Sequence, residues 1–134
     1  ISVEHGDALC TDDTDYQRFR SIIRSKFVLT PLLKTPLILR RAIANYARQK
    51  SKQSHQLKAS YIMDVNAEEV KNRLTEHDVL LHGHTHRPAL HSHDDGKKRY
   101  VLGDWRDDKT NDCGEAVIAL FDEEHGLQLI DWKF

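Results

Sequence analysis

The sequence predicts a mixed α/β fold, and three observations carry that prediction. A short strand-like opening that ends at His5 precedes a long stretch of helical periodicity. A brief apolar run, Val79-Leu80-Leu81, follows a capped helix and reads as a buried strand. Two turn signals, Asp95-Gly96 and Glu124-His125-Gly126, then separate strand-like segments. The order is strand, helical insert, helix, then several strands, with no internal repeat.

Each element has a local reason. Residues 1–5 read as the end of a buried strand, and 6–14 form a polar loop. From Asp15 the apolar residues Tyr16, Phe19, Ile23 and Phe27 recur every three or four positions, a helix that Pro31 ends or offsets. Thr35-Pro36 reads as an N-cap with proline at the first helical position. Leu39, Ile43, Tyr46 and Ala47 continue one face, and 49–60 are polar enough to be helix or loop. Asn66 with Glu69 predicts a capped helix over 67–77, with Val70 and Leu74 inward. Arg99 to Gly103, Ala116 to Phe121 and Leu127 to Trp132 complete the strands.

Composition narrows the function classes. The 134 residues suffice for one domain, or most of one, burying roughly two-thirds of its surface. With 39% hydrophobic and 31% charged residues, 6 Gly and 3 Pro, disordered and collagen-like chains are excluded. No apolar run approaches the ~18 residues of a membrane span. Cys10 and Cys113 form no CxxC, which excludes a disulfide framework or a cysteine-rich zinc site and fits a reducing compartment. The chain opens at Ile1 without Met, in mid-strand, which predicts a fragment, or a domain cut from a longer chain.

The charges are segregated. Residues 15–60 hold 11 of the 20 Lys and Arg but one of the 21 acids, Asp15, for a net +10; the remainder carries −11. A basic block on an acidic scaffold points to an anionic partner, with a solvated helical face as the plain alternative.

Nine histidines direct attention to chemistry. His82-Gly83-His84-Thr85-His86 closes an apolar strand. Imidazole is the commonest side-chain metal ligand. On an extended exit, residues i and i+2 point the same way, so His84 and His86 can converge on one ion or two adjacent ones, while Gly83 permits close backbone approach. His5-Gly6-Asp7 ends another strand and completes a three-histidine constellation. His91 and His93 share the spacing but lack the buried strand, and read as surface residues of a hairpin.

His5-Gly6-Asp7 followed by Gly83-His84-Thr85-His86 resembles the last two metal-binding motifs of the calcineurin-like metallophosphoesterases. HGDALCTDD at 5–13, Arg48-x-x-Ser51-Lys52, Asp64-Val65-Asn66, HGHTHRPA at 82–89 and Val101-Leu102-Gly103-x-Trp105 are similar, in order and spacing, to the C-terminal half of the UDP-2,3-diacylglucosamine diphosphatase family of lipid A biosynthesis. The resemblance implies the C-terminal part of a β-sandwich flanked by helices, all of residues 1–134 within one domain, with a helical lid inserted over 15–60. It implies two Mn2+ ions and attack of water on the UMP-side phosphorus of UDP-2,3-diacylglucosamine, giving UMP and 2,3-diacylglucosamine 1-phosphate. By position His5, His84 and His86 resemble metal ligands, and Asp13, Ser51, Lys58 and His84 resemble substrate contacts. His55 falls at another substrate-contacting position, with a different residue type from the family's. The family's earlier motifs, D-x-H, G-D and G-N-H/R-D, are absent, and with them the bridging carboxylate that a metal pair needs. The 134 residues alone are therefore expected to be inactive and to bind Mn2+ weakly.

The residue types suit that chemistry. Lys58, with Lys50 and Lys52, can meet a diphosphate, and Ser51 can donate to it. Asp13 suits a sugar hydroxyl or amide, or alternatively caps the helix that follows. Phe27, Val28, Leu29, Leu32, Leu33, Leu37, Ile38 and Leu39 exceed what a nucleotide requires; they suit acyl chains, at ~0.8 kcal/mol per buried methylene, or an ordinary helical core. These features also distinguish the competing readings, a nucleotide pyrophosphatase or phosphodiesterase without lipid substrate, and a non-catalytic membrane or nucleic-acid module. The block lacks interleaved aromatics for base stacking, so no nucleic-acid partner is expected. An anionic membrane surface is, which predicts a cytoplasmic protein held peripherally on the inner membrane of a Gram-negative bacterium.

Overall fold

The computed structural model describes residues 1–57, 64–108 and 113–134, with side chains described except at 50, 52–57 and 108. The chain divides into two compact units: Ile1–Leu9 with Val65–Phe134, and Cys10–Asp64.

The first unit holds two sheets. Strand β1 (Ser2–Glu4) pairs in parallel with β2 (Val79–His82), and β2 pairs in parallel with β4 (Lys98–Val101). Strand β3 (Ala89–Ser92) returns antiparallel on β4 through the Asp95-Gly96 turn, giving the order β1-β2-β4-β3. Gly96 holds φ +78°, a conformation in which glycine has no steric penalty. The second sheet is an antiparallel meander of β5 (Trp105–Asp108), β6 (Cys113–Asp122) and β7 (Gly126–Lys133). Asp122 Oδ1 accepts from the Glu124 and His125 amides at the last turn, as a short acid at a hairpin should. The two sheets are linked where the Gly103 amide donates to the Val117 carbonyl at 3.0 Å. Two sheets with helices meet the mixed α/β expectation.

Helix α4 (Ala67–Glu76) begins where the sequence predicts: the Asn66 side chain accepts from the Glu68 and Glu69 amides. Its Val70 and Leu74 meet Leu80 of β2 and Leu9, with Val65 alongside, in one buried cluster. The Leu9 amide donates to the Gly6 carbonyl and the Asn66 amide to the Leu9 carbonyl. Arg73 adds a hydrogen bond from Nε to Glu4 Oε1 at 3.2 Å. This cluster fixes the strand pair whose ends carry the histidines.

The second unit is helical: α1 (Thr14–Arg24), α2 (Lys26–Lys34) and α3 (Leu37–Leu57). Two expectations are corrected here. The first helix does not run to Pro31. Ser25 is extended and its hydroxyl donates to the Ile22 carbonyl, which closes α1; α2 then starts afresh and continues through Pro31. Thr35 is not an N-cap: its hydroxyl donates back to the Leu32 carbonyl at 2.7 Å and closes α2. The polar stretch left open as helix or loop is helical as far as Leu57. No residue of α1 or α2 is buried, and Phe27 and Ile38 are 93% and 83% exposed. The apolar residues of these helices therefore do not form an ordinary closed core.

Candidate metal centre

The site follows from the register of β1 and β2. Glu4 stands opposite His82, so the next residues, His5 and Gly83, leave the sheet side by side. The Gly83 amide donates to the His5 carbonyl at 3.1 Å. Gly6 turns away at φ +99°, and a Cβ there would sit 2.9 Å from both the Gly83 carbonyl oxygen and His82 Nδ1. Only glycine permits that approach.

The rings of His5 and His84 consequently meet, with centroids 5.0 Å apart and planes at 58°. Behind them stand carboxylates. His5 Nδ1 lies 3.3 Å from Oδ1 of Asp7, which is buried, and His86 Nδ1 lies 3.6 Å from Oδ2 of Asp104. A histidine whose Nδ1 faces a carboxylate presents Nε2 outward, the usual arrangement behind a metal-bound imidazole. Burial pushes the Asp104 carboxyl up, but its own backbone amide, the Arg106 guanidinium and His86 outweigh that and hold it below the ordinary carboxylate range. Arg106 Nε donates to Asp104 at 2.8 Å. Asp104 therefore stays anionic beside His86.

His84 and His86 do not alternate as residues of an extended strand would. Both residues lie in the left-handed region, at φ 71° and 53°, around a turn in which the Thr85 amide donates to the Gly83 carbonyl. Non-glycine residues held there cluster at functional sites. His84 turns to His5, while His86 turns to Asp104. Among the described residues, no three His, Cys, Asp or Glu side chains gather closely enough to hold an ion. The donor chemistry fits part of a divalent-metal centre, with two imidazoles adjacent and a third nearby in sequence.

Of the expected substrate contacts, Asp13 caps α1, its Oδ1 accepting from the Tyr16 amide at 3.1 Å. That is the capping alternative for Asp13. Ser51 is exposed on α3. His55 lies on the same helix with its side chain outside the described set, and Lys58 lies outside the described residues. Asp13, Ser51 and His55 belong to the second unit, and His5, His84 and His86 to the first. Asp104, which faces His86, and His82, which packs behind Gly6 and Gly83, were not singled out by the sequence. Asp104 was within reach through its place in Val101-Leu102-Gly103-x-Trp105; His82 was masked by its position inside the apolar strand.

Adjacent parallel strands thus end beside each other and bring His5 and His84 together. No family model matches the chain. The particular likeness is to UDP-2,3-diacylglucosamine hydrolases. The chain is 47% identical over 110 residues to that of Proteus mirabilis (strain HI4320), a span of 78% of this chain and 46% of the relative. Those of Yersinia pseudotuberculosis serotype O:1b (strain IP 31758) and Yersinia pestis bv. Antiqua (strain Angola) give the same identity and coverage. The chain resembles their C-terminal half and spans about half their length.

Proposed function

We propose that this chain works as the C-terminal half of an enzyme that hydrolyses the pyrophosphate bond of UDP-2,3-diacylglucosamine, releasing UMP and 2,3-diacylglucosamine 1-phosphate. The observation that carries this is the meeting of His5 and His84 at adjacent strand ends in a chain 47% identical to hydrolases of that name. His5, His84 and His86 would hold Mn2+, oriented by Asp7 and Asp104 through Nδ1. When bound, paired Mn2+ ions supply charge stabilisation at the phosphoryl oxygens and a water acidic enough to attack at neutral pH. Neutral imidazoles leave that positive charge uncancelled. Ser51 and Lys58 would donate to the diphosphate, Asp13 would meet a sugar hydroxyl or amide, and His55 falls at a further substrate-contacting position. Because the apolar helices suit acyl chains, products identified from UDP-2,3-diacylglucosamine beside those from unacylated UDP-sugars test this reading. Comparable turnover of the short substrates would move it to a simpler nucleotide pyrophosphatase.

The same helices suit an anionic lipid surface. Phe27 and Ile38 are exposed, and Arg40, Arg41 and Arg48 line one concavity of α3 with Ala44 and Asn45. No described helix is long and apolar enough to cross a membrane. A basic segment with an apolar stripe can lie at the interface instead, each Lys or Arg there contributing about 1 kcal/mol before screening. The expected result is sedimentation of the protein with anionic vesicles at low salt and its release at high salt. No binding at low salt would confine the helices to covering substrate.

A further inference from the structure

His82 ends β2 with no solvent exposure, and neither the metal-site nor the substrate reading uses its ring. Both ring nitrogens are engaged. Nε2 lies 3.2 Å from a terminal nitrogen of Arg99, and Nδ1 lies 2.9 Å from the Gly83 carbonyl oxygen. A guanidinium carries donors and no acceptor. Nε2 therefore accepts, the ring proton sits on Nδ1, and Nδ1–H donates to Gly83. That carbonyl belongs to the peptide leading into His84, whose φ is 71°. The amide of the same Gly83 is bonded to the His5 carbonyl, and the His82 carbonyl accepts from the Leu102 amide at 2.8 Å. The missing Cβ of Gly6 makes room for this ring and this carbonyl together. One buried imidazole thus ties β4 to the peptide that aims His84.

We propose that His82 is a positioning residue for the candidate metal centre: its Nδ1–H, set by Arg99, pins the Gly83–His84 peptide and so holds the His84 ring beside His5. This rests on His84 being a metal ligand, and the test separates the two claims. In the complete protein, His82→Asn keeps an N–H donor near the place of Nδ1, whereas His82→Gln matches the size of imidazole better but places its amide near Nε2. Mn2+ affinity by titration calorimetry, with Mn2+ alone as probe, and hydrogen exchange at the Gly83 amide are read on both. The Asn variant is expected to stay near the native affinity and exchange rate. The Gln variant should bind Mn2+ about tenfold more weakly or worse, as lost outer-shell support does, and exchange Gly83 faster. A role in packing alone gives the opposite order or none, and either overturns the proposal. Arg99→Met leaves β2 unsubstituted and removes the donor that sets the tautomer; it should also speed Gly83 exchange, and native exchange there overturns the proposal even if both His82 variants fail to fold. Unchanged Mn2+ affinity in His84→Ala would instead sink the ligand assignment, while Gly83 exchange would still report how firmly His82 holds Gly83 against the His5 carbonyl.

Discussion

Replacing His84 by alanine in the complete protein is expected to lower turnover of UDP-2,3-diacylglucosamine by at least about two orders of magnitude. Charge stabilisation at a bound metal is worth several kcal/mol, and each ~1.4 kcal/mol is a factor of ten in rate. The fold should survive, because His84 lies on a turn outside the Leu9–Val70–Leu74–Leu80 cluster. His93→Ala is the matched control. Its residue shares the i, i+2 spacing with His91, but its hairpin contacts are backbone bonds: its amide donates to the Lys97 carbonyl and its carbonyl accepts from the Gly96 amide. Steady-state kinetics and circular dichroism on the two variants decide the matter. Equal losses would mean that the wrong histidine pair has been assigned to the metal.

The second large effect is expected at Gly6. Gly6→Ala places a side chain at φ +99° and drives its Cβ to 2.9 Å from the Gly83 carbonyl oxygen, a backbone atom that cannot swing aside. The backbone conformation alone costs about 1–3 kcal/mol, and the collision adds to it. Gly96→Ala separates the two contributions, since Gly96 also has positive φ, +78°, but no atom within 4 Å of its Cβ direction. Urea unfolding should show a clearly larger loss for Gly6→Ala than for Gly96→Ala. Hydrolysis should fall in the first variant only, because the strain is relieved by parting the strand ends that carry His5 and His84. Equal losses in stability would show that β1 and β2 yield there without resistance.

Local signals were the legible ones. Asn66 and Glu69 announced α4 because capping is settled within four residues, and Asp95-Gly96 announced a hairpin because the turn needs positive φ. The break at Ser25 was not legible. The apolar period runs unbroken from Tyr16 to Phe27, and a single extended residue costs nothing visible in that pattern. Pro31 misled because a helix interior can hold a proline at the cost of the bond to the Phe27 carbonyl and crowding against it, and α2, restarted at Lys26, does so. Strand-end histidines marked out the candidate metal centre, but alternation assumes extended backbone, and the left-handed His84 and His86 send their rings to different neighbours. The Arg99–His82 pair depends on register. Arg99 stands opposite Leu80 and Val101 opposite His82, so with a period of two Arg99 and His82 share a face. Nothing in either segment alone reveals that.

Water-driven cleavage of UDP-2,3-diacylglucosamine at the phosphorus on the UMP side is the proposed reaction. Hydrolysis of this substrate by the complete Mn2+-loaded protein in 18O-labelled water, with mass analysis of both products, tests it most directly. The expected result is UMP carrying the label and 2,3-diacylglucosamine 1-phosphate without it. Label in the sugar phosphate, or no cleavage of the acylated substrate while unacylated UDP-sugars are turned over, would contradict it.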